Sequence, residues 1–264
     1  MSHLARLVVA LALGLASLSA AETTAFGPGE QVVYRASFLG IPAGSIQVTV
    51  GAEFPDTPGV WPIVLLGRSD VGLFFFPIRD KMVLRWDAER SQTRGMEMWA
   101  DENHKHRHLR IVFDHAEGKA KLFRQLERQE PVQEEISVKP DAADVASALY
   151  LLRTRPLEPG TELTLPVVTP SKQFPLRAVV EGREQLKTPL GEQATVRVRM
   201  TTDFSGKLKA KSDLVIYFTD DAAHVPVRIE AELGLGTVVA EAVEFHSGSR
   251  APTRPAAAAR TEVH

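Results

Sequence analysis

Apolar side chains recur at every second position along most of this chain, and that period admits few folds. Val32, Tyr34, Ala36 and Phe38 share one parity, as do Ile46, Val48 and Val50 beyond a turn read at Gly40-Ile41-Pro42-Ala43-Gly44. The pattern returns at Met82, Leu84 and Trp86 and at Leu109, Ile111 and Phe113. It continues at Leu163, Leu165 and Val167; Leu176, Ala178 and Val180; and Ala194, Val196, Val198 and Met200. Leu214, Ile216 and Phe218 and the set Val225, Val227, Ile229, Ala231 and Leu233 complete it. Successive side chains of a strand point to opposite faces, so each stretch reads as a strand with one apolar and one polar side. So many one-sided strands must bury their apolar faces together. The expected fold is mainly β: a large antiparallel sheet, curved or barrel-like.

One segment breaks the period. Asp141-Ala-Ala-Asp-Val-Ala-Ser-Ala-Leu-Tyr-Leu-Leu-Arg-Thr154 lacks turn residues, and Val145, Leu149 and Leu152 fall at i, i+4 and i+7. This predicts a central α-helix over about 141–154, with Asp141 and Asp144 in an acidic first turn and Arg153 in the last, matching the helix dipole. Pro140 and Pro156 bracket it. The helix either joins two β halves or plugs the concave side of one sheet.

The ends of the chain read differently. His3 and Arg6 precede an apolar run from Leu7 to Leu18, too short to cross a bilayer, and small residues at Ser19 and Ala21 suit cleavage before Glu22. Residues 1–21 are therefore expected to be a signal peptide, 22–246 a single β-rich domain, and 247–264, rich in small residues and proline, a disordered tail. The mature protein is expected in the periplasm, without a transmembrane segment. There is no cysteine, which excludes disulfides, thiol nucleophiles and cysteine-held metals or clusters. The formal net charge is −2, and the tail arginines leave the body more acidic still, which argues against a nucleic-acid partner.

Three constellations could carry function. His104, His106 and His108 alternate on one strand face, a spacing that can supply metal ligands. Leu109, Ile111 and Phe113 take the opposite face, so these imidazoles face solvent and are only a weak metal candidate. Arg197 and Arg199 lie on the polar side of their strand. With a turn at Asp203–Gly206, a hairpin would set them beside Lys209 and Lys211 as a cationic patch for an anionic ligand, or as a solvated face with lysines guarding an edge. Phe74, Phe75 and Phe76 stand in a row before Pro77, either buried between sheet and helix or forming an apolar lip at a cavity mouth. No hydrolase, phosphate-loop or dinucleotide motif is present, so neither a catalytic residue nor a cofactor is expected.

The pattern Pro28-Gly29-Glu30, Tyr34 and Gly44, with Asp144, Ser147, Tyr150 and Arg153 at every third position of the helix and Gly160 and Gly191 beyond it, resembles the domain of unknown function 3108 family of exported bacterial proteins. The resemblance spans Phe26 to Phe245. It implies export and a β-rich architecture, and it implies structural roles for these residues because the family has no assigned activity. The plan is also similar, at fold level only, to periplasmic lipoprotein carriers in which a curved sheet wraps helices around an apolar cavity. The expected function is non-enzymatic binding of a lipid or other amphiphile, with Phe74–Phe76, Arg197, Arg199, Lys209 and Lys211 as contacts. The alternatives are a scaffold or assembly factor for an envelope protein and, less favoured, a metal-dependent enzyme.

Overall fold

A computed structural model describes residues 24–69, 77–102, 105–170, 172–202, 214–233 and 236–249. The first eight strands are β1 (Gln31–Phe38), β2 (Ile41–Val50), β3 (Val60–Ser69), β4 (Ile78–Asp87), β5 (Gln92–Glu102), β6 (Lys105–Asp114), β7 (Lys119–Leu126) and β8 (Val132–Ser137). The short β9 (Ala143–Asp144) leads into α1 (Val145–Arg153). Then follow β10 (Glu162–Thr169), β11 (Lys172–Thr188), β12 (Gly191–Thr202), β13 (Leu214–Thr219), β14 (Pro226–Leu233) and β15 (Gly236–His246).

All of them form one curved, unclosed sheet of 15 strands, ordered β8 back to β1, then β15 back to β9. Every neighbouring pair is antiparallel except β9 with β10. The first strand therefore pairs with the last in the middle of the sheet, Val32 opposite Phe245 and Ala36 opposite Ala240. The two outer edges, β8 and β9, are consecutive in the chain.

The alternation read from the sequence sets the buried side. Val32, Tyr34, Val50, Ile63, Leu84, Trp86, Ile111 and Phe113 build one cluster, and Leu165, Val167, Ala178, Val180, Val196, Val198 and Ile216 a second. α1 lies between them, with Tyr150 and Leu151 in the first cluster and Ala148 and Leu152 in the second. A helix buried on two sides needs no single stripe, which corrects the expected Val145, Leu149, Leu152 face: Val145 is 49% exposed. The acidic first turn is also absent. Asp144 is instead the N-cap, its Oδ1 accepting the Ser147 N–H at 2.9 Å, and Arg153 occupies the last turn as expected.

The predicted Gly40–Gly44 turn shrinks to Leu39-Gly40, both at positive φ (50° and 80°), a two-residue hairpin connection of the primed kind. Gly44 falls inside β2. A Cβ there would sit 2.2 Å from the carbonyl oxygen of Arg68 on β3, so the strands can approach only with glycine at this position.

Candidate functional site

The helix residues repeating every third position meet the N-terminal segment in a sealed polar hub. Arg153 Nη1 donates to Glu30 Oε1 at 2.6 Å and Nη2 to Glu30 Oε2 at 2.9 Å. Nε and Nη2 also donate to Ala223 O at 3.2 and 3.1 Å, and Nη2 reaches Ala25 O at 3.4 Å. Phe26 lies with its ring 4.8 Å from the guanidinium and packs edge-on to Tyr150 at 4.8 Å. Burial works against the Arg153 charge, but the Glu30 hydrogen bonds outweigh it and hold the guanidinium above its ordinary pKa. Tyr34 donates its hydroxyl to Pro226 O at 2.8 Å, and burial pushes both Tyr34 and Tyr150 far above the usual phenol range.

At the other end of the helix, Ser147 Oγ lies 2.5 Å from Asp144 Oδ2 and 3.0 Å from Thr93 Oγ1 on β5. Burial raises the Asp144 pKa, and the bonds from Ser147 only partly oppose it. Glu30, Tyr34, Asp144, Ser147, Tyr150 and Arg153 are all buried, none more than 5% exposed. They tie the N-terminal segment, the helix, β5 and the β13–β14 turn into one body. The rest of the pattern serves the backbone: Gly29 N–H donates to Val50 O, Pro28 O accepts from Ser249, and Gly160 and Gly191 stand at turns.

The outward face carries the open site. Cross-strand register places Leu66 opposite Lys81, Lys81 opposite Trp99, Trp99 opposite His108 and His108 opposite Gln125. Trp99 is 40% exposed, stacked on His108 at 5.3 Å with the Lys81 ammonium 5.5 Å from its ring. A depression of about 640 Å³ opens on one side, lined by Arg79, Trp99, His106, Arg107 and Gln125. A second of about 420 Å³ opens on the other, and Arg79 and Trp99 border both.

His106 and His108 therefore lie on the solvent side, as read from the alternation, but separate carboxylates engage them: Asp101 at 3.6 Å and Glu97 at 2.7 Å. Among the described residues no group of three His, Asp or Glu is placed to hold a metal ion. His104 lies outside them. Arg197 and Arg199 both bind Glu181, Arg199 at 2.6 Å. The expected cationic ladder is corrected by the register: β12 pairs with β13 from Leu214 onward, so Tyr217 faces Arg197 and Val215 faces Arg199. That pairing matches Val196 with Phe218 and Val198 with Ile216, bulky apolar partners on the buried face. Lys209, Lys211 and Phe74–Phe76 lie outside the described residues.

No curated protein matches the sequence. Among solved structures, a β-barrel-like protein of domain of unknown function DUF1849 from Brucella abortus superposes with a TM-score of 0.59 at 8% identity, over 84% of this chain and 99% of that one. A protein designated exported, with a YmcC-like fold, from Bacteroides fragilis reaches 0.34 at 11% identity over 84% of this chain and 99% of its own. A protein designated a lipoprotein from Parabacteroides distasonis reaches 0.33 at 10% identity over 85% and 99%. The first shares the fold, and the other two superpose too weakly to bear on it. Residues 33–243 match the model of a family described as proteins of unknown function, DUF3108, and the chain belongs to that family.

Proposed function

We propose that this protein is a non-enzymatic binding module of the cell envelope, exported to the periplasm by residues 1–21, that holds an amphiphilic ligand on the outer face of its sheet. The observation that carries the proposal is the paired depression at Trp99, where an exposed aromatic and Leu66 stand among hydrogen-bonding and cationic groups. That mixture suits a ligand with an apolar body and a polar head. The polar signature residues support the same reading from the other side, because they are sealed and line neither depression.

Tryptophan emission tests it. Trp61 and Trp86 are buried and Trp99 is not, so a ligand in the groove should shift only the Trp99 signal. Titrating the mature protein with a twelve-carbon amphiphile below its micelle concentration should give a saturable blue shift that Trp99→Phe abolishes. A wild-type signal that stays flat or rises without saturating refutes the proposal. No helix among the described residues is long and apolar enough to cross a membrane. N-terminal sequencing of the periplasmic protein should begin at Glu22, and an uncleaved Met1 would refute export by a cleaved leader.

A further inference from the structure

Three arginines fall in line across the outward face. Arg35 stands opposite Ser45, Ser45 opposite Arg68, and Arg68 opposite Arg79. Like charges directly opposed on a ladder repel. Elsewhere on the sheet, arginines are matched by carboxylates: Arg177 by Glu162, Arg183 by Glu158 and Asp220, Arg228 by Glu230 and Glu241. In this row Arg68 donates Nε to Ser45 Oγ at 3.1 Å. Among the described residues no carboxylate comes within salt-bridge distance of Arg35, Arg68, Arg79 or Lys81. Asp101, across the ladder from Arg79, is instead engaged with His106.

Arg68, Arg79 and Lys81 line the smaller depression together with the Ser45 hydroxyl, and Leu66 and Trp99 supply its apolar wall. Asp80, between Arg79 and Lys81 on β4, alternates to the other face of the sheet, opposite Gly67 and Ala100, where its carboxylate accepts the Asp101 N–H at 3.2 Å. A guanidinium presents two parallel N–H donors in the geometry of a phosphate edge, and two adjacent guanidiniums can share one phosphate. A bound dianion would turn the repulsion between Arg68 and Arg79 into shared attraction.

We propose that the depression between β2 and β5 is a phosphate-recognition site for an anionic amphiphile: Arg68 and Arg79, flanked by Lys81 and Ser45, take the phosphate, and Leu66 and Trp99 take the start of the alkyl chain. This rests on the outer-face binding reading and specifies its ligand class. None of these residues stands out as a motif, because they come from four strands.

The test measures Trp99 emission of the mature wild type and an Arg68→Gln/Arg79→Gln variant with dodecyl phosphate, dodecyl maltoside and inorganic phosphate. Wild type should prefer dodecyl phosphate over the maltoside by at least about tenfold, the scale expected of a charge-assisted hydrogen-bond pair. The double variant should lose that preference while keeping its maltoside affinity and circular dichroism. Arg177→Gln, which removes an exposed arginine elsewhere, should leave the preference intact. If inorganic phosphate displaces dodecyl phosphate with equal affinity, the arginine site stands and its natural ligand is a free phosphate; much weaker competition supports a lipid headgroup. Equal wild-type affinity for the phosphate and maltoside probes, or a preference unchanged in the double variant, overturns the arginine site and leaves the groove reading standing. Failure of both amphiphiles to bind overturns the groove reading as well.

Discussion

Replacing Arg153 with Met should cost more stability than any surface change, and the geometry sets the scale. The guanidinium makes two hydrogen bonds to Glu30 and others to Ala223 O and Ala25 O, all buried. Met fills much of the volume but leaves the Glu30 carboxylate without its cation in a site from which water is excluded. Removing one partner of a buried ion pair costs about 3–5 kcal/mol. In a domain of this size that lowers Tm by roughly 6–20 °C. The double variant Glu30→Leu/Arg153→Met removes both charges, so it should recover most of the loss. It should retain a deficit of about 1–3 kcal/mol for the carbonyls left without donors. Urea unfolding followed by circular dichroism and by emission from Trp61 and Trp86, which flank Phe26 in the same cluster, reads both numbers. A single variant costing under about 1 kcal/mol, or a double variant as unstable as the sum of the singles, would refute a clamp based on charge pairing.

Other outcomes follow from the same contacts. Asp144 has a folded pKa raised by burial, so the folded state favours its protonated form and the residue's contribution to stability declines as pH rises above the ordinary carboxylate range. Asp144→Asn keeps an N-cap acceptor, so it should match or exceed wild-type Tm at pH 7, with the advantage vanishing near pH 3 in a pH series of thermal melts. Asp87, held below its ordinary pKa by hydrogen bonds from Arg90 and Arg94 despite its burial, behaves oppositely: Asp87→Asn should destabilise at pH 7 and converge on wild type as pH falls. Gly44→Val drives a side chain into Arg68 O and should cost over about 2 kcal/mol by urea titration, with Ala nearly as damaging because the Cβ itself is the clash. Tyr34→Phe deletes one buried hydrogen bond and should cost about 1 kcal/mol in the same assay.

What the sequence disclosed was local. Alternation at Leu84 and Trp86 or at Ile111 and Phe113 is a property of neighbours, and those strands lie where they were read. The helix was equally visible, along with Arg153 at its end. Pairings across long separations left no trace: Glu30 and Arg153 are 123 positions apart, so their bond emerged only when β1 and the helix came together. The partner of β12 was not legible from the turn signal at Asp203–Gly206, because the apolar match for Val196 and Val198 lies farther along the chain, at Phe218 and Ile216. The arginine row was hidden in plain view. Arg35, Arg68 and Arg79 each read as an ordinary outward residue, and only the sheet register makes them neighbours.

The seam between β1 and β15 has a consequence for how the molecule is made. Gln31 finds its partner at His246, so the centre of the sheet is stitched by the two ends of the domain, and β1 waits for a strand synthesised more than two hundred residues later. Closing so long a loop puts this pairing late in folding. The midline of the sheet therefore locks only once nearly the whole domain is available to fold, after the hairpins of consecutive strands on either side of the seam.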